Sequence, residues 1–308
     1  MKISVKYFYL SFAIVITSAI ILSSCSQDPD GWKFPDMSKV PPGALGDSIK
    51  HGWELIVKTP LFIGPEVKDI TKRFAGNNLA CSNCHIDGGT RPNSLGFVGV
   101  YLVYPEYSAI VDSTIMIQQR INECMRRSMY GKPLPIDSYE MRCLVLYYKW
   151  ISSEVITQIA KEYLGLPKLG YLPRAADTSK GRNVYADKCM SCHGYNGTGS
   201  YVNDTTKNGF SIPAVWGSDS YDNGAGMYRL ITSAAFIKSK MPFLNAELTD
   251  DEAWDVAAYI NSMPRRDMEG LSKDFPDLNK KPIDCPYPPY ADSIPQIRHK
   301  YGPYGGLK

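Results

Sequence analysis

The sequence predicts an all-α protein made of two small helical domains in tandem, with irregular connecting segments. Apolar residues recur at helical spacing in several windows, whereas no sustained alternation typical of β-strands is present. A short motif of two cysteines and a histidine occurs once in each half, among its own group of predicted helices. Because 308 residues suffice for two ordinary domains, we expect one domain around each copy.

The composition argues against two broad classes of function. The chain has 34 basic and 31 acidic residues, a formal net charge of +3, and only 21% charged residues. This balance indicates neither a nucleic-acid-binding protein nor an acidic disordered tail. Attraction for an anionic ligand must therefore come from a local group of side chains.

Residues 1–24 have the features of a signal peptide. Lys2 and Lys6 precede an apolar run over residues 7–22, which is short for a membrane-spanning helix of roughly 20 residues. Leu-Ser-Ser before Cys25 resembles a bacterial lipobox, in which the cysteine carries lipid after cleavage. We therefore predict a protein that is lipid-anchored at Cys25 on the periplasmic or extracytoplasmic side of a bacterial membrane. Simple secretion and an uncleaved anchor are the alternatives.

The first domain is assigned to residues 45–160, after a proline-rich segment at 25–44 that is predicted to be a tether. Its predicted helices cover residues 45–60, Tyr107–Met129 and Ser138–Ser152. Residues 161–176 contain several prolines and glycines and are predicted to link the two domains.

The second domain is assigned to residues 177–264. Its predicted helices are Ser179–Lys188 and Ala253–Met263, and a capping box at Thr249–Glu252 opens the latter. The C-terminal residues 265–308 show no sustained period, so they are predicted to form an irregular surface arm or a disordered tail.

The repeated motif is C-x-x-C-H, the pattern that attaches c-type haem. Two thiols about one helical turn apart can each bond a haem vinyl group, and the adjacent histidine then faces the iron. The predicted attachment residues are Cys81, Cys84, Cys189 and Cys192, and the predicted proximal ligands are His85 and His193. A zinc site at each motif would need four ligands, and only two further histidines, His51 and His299, are present in the sequence. A redox-active cysteine pair usually lies in a βαβ unit, and the sequence predicts none. We therefore predict two cytochrome c domains with two covalently bound haems.

The second axial ligand of each haem sets its potential and reactivity. In the second domain Met241 is the predicted ligand, because Lys240-Met241-Pro242 stands just before the capped helix, as in class I cytochromes c. Met227 is the rival methionine, and a methionine packed in the core is the alternative. Ligation by histidine and methionine raises the potential, which suits an electron exit.

The first domain has no Met-Pro pair and instead carries Cys124 within a predicted helix. Arg120, Arg127 and Ser128 stand at spacings of three or four residues from it, so all share one helix face. Guanidinium groups favour the thiolate form of a cysteine and hold small sulfur oxyanions, so both arginines are predicted to bind an anion. Cys124 could ligate the first haem, react with a sulfur substrate, or do each in turn. The alternative is a buried structural cysteine beside solvated arginines.

Beyond these motifs, the chain resembles the dihaem thiosulfate dehydrogenase and tetrathionate reductase family. The matching stretches are Asn78–Thr90, Tyr104–Tyr107, Arg120–Gly131, Met141–Ser152, Asn223–Met227 and Ala235–Pro242. Enzymes of this family are periplasmic and join two thiosulfates into tetrathionate, and some members run the reverse reduction. The resemblance therefore implies an oxidoreductase with thiosulfate or tetrathionate as its substrate.

The resemblance also implies roles for individual residues. It makes Cys124 the distal ligand of the catalytic haem and places Arg120 and Ser128 in the substrate pocket. It makes Lys240 a residue that can replace Met241 on the second haem with redox state, while a solvated lysine is the alternative.

Two positions depart from the family pattern. Tyr130 stands where asparagine is expected, and Cys143 stands where a small apolar residue is usual. Cys143 and Cys285 have no assigned role: they could form a disulfide with one another, or Cys143, on the apolar face of its helix, could be an inert buried thiol.

Together these observations predict an enzyme that oxidises two thiosulfates to tetrathionate, or reverses that reaction, at a His/Cys-ligated haem. Electrons are expected to pass through a His/Met-ligated haem to a soluble or membrane-bound cytochrome. The alternatives are a non-catalytic dihaem electron carrier and another sulfur-oxidation cytochrome that acts on a carrier-bound intermediate. A dihaem peroxidase is less favoured, because a thiolate-blocked first haem leaves no obvious peroxide site.

Overall fold

The computed structural model describes residues 28–201 and 210–307. The predicted signal peptide and the predicted lipid attachment at Cys25 lie outside these ranges. Within the described part of the chain, no helix is long and apolar enough to cross a membrane. Two groups of buried apolar side chains follow one another along the chain, and helices dominate both. The all-α prediction with two tandem domains is thereby confirmed.

The first domain is built from six α-helices and one hairpin among the described residues. The helices are α1 Ala44–Val57, α2 Thr59–Ile63, α3 Val100–Val103, α4 Ile117–Arg126, α5 Tyr139–Ile151 and α6 Thr157–Tyr163, and the strands are β1 Glu106–Ser108 and β2 Ser113–Ile115. Helix α5 begins after Ser138, whose hydroxyl accepts a hydrogen bond from Met141 N at 3.1 Å. It packs along α1, and Leu55 and Ile56 of α1 are fully buried there. The helices predicted near residues 45–60 and 138–152 are confirmed.

The helix predicted at Tyr107–Met129 begins only at Ile117, so the prediction is wrong for its N-terminal part. Residues 106–115 instead form the antiparallel hairpin of β1 and β2, in which Tyr107 pairs with Thr114. The side chains of Tyr107 and Val111 are exposed on this hairpin. Asp112 turns the chain with a φ of 50°, a conformation that aspartate adopts more readily than most residues.

Residues 31–44 are packed against the first domain. Trp32 is buried, and its indole nitrogen donates a hydrogen bond to Thr90 O at 2.8 Å. Val40 lies in the same core. Because burial of an indole removes a large apolar area from water, this segment stabilises the domain, which corrects the expectation of a tether.

The second domain has four α-helices and a short antiparallel pair of strands among the described residues. The helices are α7 Thr178–Val184, α8 Met190–His193, α9 Leu230–Lys240 and α10 Asp250–Ser262, and the strands are β3 Ser200–Tyr201 and β4 Phe210–Ile212. The predicted capping box opens α10: Glu252 N donates to Thr249 Oγ1 at 3.3 Å, and Thr249 N donates to the Glu252 carboxylate at 2.7 Å. Helix α10 packs against α7 and α9, with Trp254 buried at the centre.

The segment predicted as a linker is also ordered. Leu172 and Ala176 are buried in the second core, and Trp254 Nε1 donates a hydrogen bond to Gly170 O at 3.0 Å. The later part of the predicted linker, from Leu169 to Ala176, therefore packs with the second domain, whereas Tyr163 and Leu164 pack against the first core.

The C-terminal residues 265–307 form an ordered arm, so the alternative of a disordered tail is wrong for this part of the chain. The arm is mostly irregular and contains one α-helix, α11 Gln296–Tyr301, and two 3-10 turns, Leu271–Lys273 and Leu278–Lys280. Asp284, Cys285 and His299 of the arm are buried. Asp284 accepts hydrogen bonds from Arg229 Nε at 2.8 Å and from Ile231 N at 2.9 Å, which ties the arm to the start of α9.

A glycine lies at the main helix crossing of each domain. A Cβ on Gly52 of α1 would lie 2.1 Å from Cys143 O of α5, and a Cβ on Gly181 of α7 would lie 1.9 Å from Asp255 O of α10. We expect Gly181→Ala to lower the free energy of unfolding by about 1–3 kcal/mol, because the backbones must move apart. Urea denaturation followed by circular dichroism measures this. The control is Gly165→Ala, because a Cβ at that position meets no atom within 4 Å. Equal stability of the two variants would contradict the close approach of α7 and α10 at Gly181.

Candidate functional site

The second domain contains a large cavity around its C-x-x-C-H motif. Its volume is about 790 Å³, within the range of cofactor pockets. Cys189, Cys192 and His193 line it, and so do both candidate methionines, Met227 and Met241. The structure thus brings together the residues predicted to attach and ligate the second haem.

Each motif histidine is oriented by a backbone carbonyl. His193 Nδ1 lies 2.9 Å from Pro213 O, and His85 Nδ1 is hydrogen-bonded to Leu95 O. Because a carbonyl oxygen can only accept, Nδ1 carries the proton, and Nε2 of each ring has the lone pair that a metal needs. Burial lowers the pKa of His85 to about 4 and also lowers the pKa of His193. Both neutral rings fit the role of proximal haem ligand.

Cys124 of α4 lies beside the first motif, which belongs to a distant part of the sequence. Burial raises the pKa of Cys81 to about 11 and that of Cys84 to about 12, and the nearby Cys124 contributes to both shifts. Cys124 is partly exposed and has a free thiol. Cys124 therefore lies within electrostatic range of both attachment cysteines, and Cys81, Cys84 and Cys124 are called the Cys124 cluster below.

Arg120 is the partly exposed basic residue beside this cluster. The charge of Cys124 is the largest cause that raises the pKa of the Arg120 guanidinium. Arg120 Nη1 donates to the buried Glu123 carboxylate at 3.0 Å, and Ser108 Oγ of β1 donates to the same carboxylate at 3.4 Å. Because the Arg120 side chain is 47% exposed, its other edge can face an anion while Glu123 fixes its position.

Arg127 does not share this open position. Its buried side chain forms a bidentate ion pair with Asp274, with Nη1 and Nη2 at 2.8 and 2.7 Å from the two carboxylate oxygens. Helix α4 ends at Arg126, and Arg127 is its C-cap, with its backbone N–H donating to Glu123 O at 3.0 Å. Since the charge of Arg127 is already compensated, this geometry argues against its predicted role in holding a substrate anion.

Ser128 lies two residues beyond the end of α4, so its position on the same face as Cys124 stays a prediction. Met129 N donates to Cys124 O at 3.0 Å, so the chain still turns tightly after α4. The Asn77 amide donates to Ser128 O at 2.9 Å and to Ser220 O of the second domain at 3.1 Å. The segment that carries Ser128 is thereby fixed to both domains.

Lys240 and Met241 stand together at the end of α9. Met241 lines the cavity, whereas Lys240 is half-buried beside Arg91 of the first domain. Burial, and after it the charge of Arg91, lowers the pKa of Lys240. The exchange of these two ligands stays a prediction.

Residues of the first motif also line the cavity of the second domain. Ser82, Asn83 and Cys84 lie on its wall, together with Asp87 and Gly88. The segment that carries the first C-x-x-C-H motif therefore borders the cavity of the second motif.

Asp222 is a fully buried carboxyl group in a loop that contacts both domains. Its Oδ1 accepts a hydrogen bond from Gly224 N at 2.8 Å, whereas Oδ2 has no hydrogen-bond partner among the described residues. Burial raises the pKa of Asp222 to about 7, although Gly224 N, Arg127 and Arg265 act in the opposite direction.

Asp222→Asn is expected to stabilise the protein most at alkaline pH. The folded protein holds this proton more tightly than the unfolded chain, so stability is lost as the pH rises through about 7. Asparagine carries no charge at any pH, so the thermal midpoint should rise more at pH 8 than at pH 5. Scanning calorimetry at pH 5 and pH 8 measures the midpoints, with Asp137→Asn at an exposed position as the control. An equal rise in the midpoint at the two pH values would contradict the raised pKa of Asp222.

Cys143 and Cys285 are both buried and both free. Cys143 lies in the first core, and Cys285 lies on the arm. Of the two alternatives left open by the sequence, the structure agrees with two buried thiols.

Comparison with known proteins places these features in a family. The SoxA/TsdA cytochrome c domain model matches residues 70–156, and the cytochrome c model matches residues 178–264. A thiosulfate dehydrogenase from Psychrobacter arcticus is 34% identical over 246 residues, which cover 80% of this chain and 72% of that protein. Another, from Allochromatium vinosum, is 38% identical over 236 residues, which cover 75% of this chain and 83% of that protein. The chain belongs to the thiosulfate dehydrogenase family.

A solved thiosulfate dehydrogenase, the as-isolated form of TsdBA from Marichromatium purpuratum, has a similar fold. The TM-score is 0.68 with 30% sequence identity, and the match covers 76% of this chain and 49% of that one. This chain thus spans about half the length of that structure. The two family matches confirm two cytochrome c domains with two covalently bound c-type haems, as members of the thiosulfate dehydrogenase family carry.

The sequence reasoning missed three residues that shape the first site. Glu123 stands three residues after Arg120 in a helix, so the ordinary spacing of ion pairs could have identified it. Ser108 was placed in a helix instead of the hairpin, and Asp274 lies in the arm, where no periodic signal exists.

Proposed function

We propose that this protein oxidises two thiosulfates to tetrathionate, or catalyses the reverse reduction, at the haem attached to Cys81 and Cys84. The supporting observation is the cluster in which a free thiol, Cys124, lies beside the first motif and an open guanidinium, Arg120. The named relatives are thiosulfate dehydrogenases, and they match the chain across both domains.

Arg120 binds the thiosulfate dianion. Its planar guanidinium can form two parallel charge-assisted hydrogen bonds with a sulfonate group. Glu123 holds one edge of that guanidinium in place, so the group is oriented before the anion arrives. The formal net charge of the whole chain is only +3, so the attraction is local.

Cys124 carries the sulfur chemistry, and its sulfur would also hold the iron of the first haem in the resting protein. Its thiolate forms a sulfur–sulfur bond with the terminal sulfur of one thiosulfate, and two electrons are released. A second thiosulfate then attacks that terminal sulfur; its own sulfur forms the new bond, the bond to Cys124 breaks, and tetrathionate leaves. The thiolate is regenerated and no proton is exchanged. The haems supply one-electron acceptors for this oxidation.

The electrons leave through the second domain. The segment from Ser82 to Gly88 lines the cavity that contains His193 and Met241, so the path between the two sites is short. His/Met ligation gives a higher potential than ligation by a thiolate, which favours transfer in this direction. The final acceptor, or donor in the reverse reaction, is a soluble or membrane-bound cytochrome outside the cytoplasm, where Cys25 anchors the protein by lipid.

Steady-state turnover tests this proposal. Purified dihaem protein is mixed with thiosulfate and ferricyanide, and tetrathionate is quantified; the reverse reaction uses tetrathionate and reduced methyl viologen. We expect one tetrathionate per two ferricyanide ions reduced. A protein that exchanges electrons with ferricyanide but consumes neither sulfur compound would be an electron carrier, and that outcome would overturn the proposal.

A further inference from the structure

The end of α4, which carries Cys124, and the segment after it, which carries Ser128, are held from outside their own domain. Asp222 N donates to Arg127 O at 3.5 Å, and Arg127 Nη1 donates to Gly224 O at 3.3 Å. These contacts come from the loop that also supplies Tyr221 and Met227 to the second cavity. The segment after Cys124 is therefore connected to the surroundings of the second haem.

The arm contributes a buried ion pair to this connection. Asp274 receives both terminal nitrogens of Arg127, and its Oδ2 also accepts a hydrogen bond from Tyr287 Oη at 2.8 Å. Met268 Sδ lies 3.4 Å from Arg127 Nη1. Arginine and aspartate are each almost never fully buried without a partner, so the arm and Arg127 depend on one another.

A second contact fixes Tyr130, which lies four residues after the end of α4. Tyr130 has a φ of 43°, a left-handed conformation that costs energy for a bulky residue and suits glycine or asparagine. The Arg266 guanidinium lies 4.4 Å from the centre of its ring, and Arg266 Nη1 donates to Gly76 O at 2.9 Å. The tyrosine that departs from the family pattern is thus an attachment point for the arm.

The arm also reaches the hairpin that holds Glu123. Phe275 N, next to Asp274, donates to Ile110 O at 2.9 Å between β1 and β2. Lys280 Nζ donates to Asp112 Oδ1 at 3.0 Å on the same turn. Residues 266–280 therefore contact both the segment that follows α4 and the turn between β1 and β2.

We propose that Arg127 is a positioning residue for Cys124, held by Asp274 of the arm, and that the pair fixes the distal side of the first haem relative to the second domain. This inference rests on the proposed ligation by Cys124. A bidentate pair constrains both the direction and the distance of the groups it joins. Loosening it lets Cys124 and Ser128 move away from the positions that ligation and substrate binding need.

Asp274→Asn, and the double variant Arg127→Met with Asp274→Leu, test the proposal. Replacing both members of a buried ion pair by apolar residues of similar size is often tolerated, so the double variant keeps the measurement possible where the single one fails to fold. Asp284→Asn is the matched control, because it weakens another arginine–aspartate pair of the same arm, with Arg229, away from α4. Readouts are the electron paramagnetic resonance spectrum of oxidised iron, redox titration of both haems, and turnover.

We expect the Asp274 variants to retain both haems but to show a mixed signal for the first haem, a shifted potential, and a kcat at least tenfold lower. Asp284→Asn should keep the spectrum and the kcat of the unmodified protein. The proposal is overturned if the Asp274 variants keep an unchanged spectrum, or if Asp284→Asn changes it equally. The spectrum and the titration need no thiosulfate, so they decide this inference separately from the proposed activity.

Discussion

Cys124→Gly is expected to abolish thiosulfate oxidation while both haems stay attached. The attachment residues Cys81 and Cys84 are untouched, but the sulfur that forms the transient bond is removed. Loss of a covalent nucleophile lowers kcat by at least about a thousandfold in comparable cases. Turnover with thiosulfate and ferricyanide measures the loss, and the haem content per chain shows that the variant is loaded.

Two further variants separate the roles of Cys124. Cys124→Met retains a sulfur ligand for iron yet cannot form a sulfur–sulfur bond of this type, so it should be equally inactive. Cys143→Ala removes a buried thiol in the first core and should keep the activity. Normal thiosulfate oxidation in either Cys124 variant would rule out the proposed chemistry.

Arg120→Ala is expected to reduce kcat/KM for thiosulfate by about tenfold to a hundredfold, because charge-assisted hydrogen bonds contribute roughly 1.5–3 kcal/mol. The loss should fall mainly on KM if the guanidinium binds substrate and transition state equally. The kcat/KM for tetrathionate reduction should fall as well, since tetrathionate carries the same sulfonate groups.

The control for this variant is Arg126→Ala. Arg126 lies on the same helix but is exposed on another face, so its removal should leave kcat/KM within about twofold, as for most surface substitutions. An Arg120 variant with the unmodified kcat/KM would show that the anion binds elsewhere.

The elements that sequence patterns identify best are those in which local signals agree. The capping box at Thr249 and the N-cap at Ser138 mark helix starts through side chains close to the helix itself. The haem motifs are equally local, since attachment residues and proximal histidine occupy five consecutive positions. The clustering of Cys124 and Arg120 likewise follows from helical spacing.

The parts that sequence patterns misjudge depend on distant partners. Residues 107–115 belonged to the predicted helix Tyr107–Met129, but they form part of a small antiparallel hairpin in which Tyr107 and Val111 are exposed. Arg127 shares the spacing of Arg120, but Asp274 of the arm, far along the chain, removes it from the open side of the cluster. Trp32 and the arm pack through tertiary contacts that leave no period in the sequence.

The electron paramagnetic resonance spectrum of the oxidised protein tests the central claim most directly, because histidine–thiolate iron has a distinct low-spin signature. We predict that one of the two haems shows this signature and that Cys124→Met removes it while the signal of the second haem stays unchanged. A spectrum with only His/Met or His/His iron in the unmodified protein would contradict the assignment of Cys124 and, with it, the proposed site of thiosulfate oxidation.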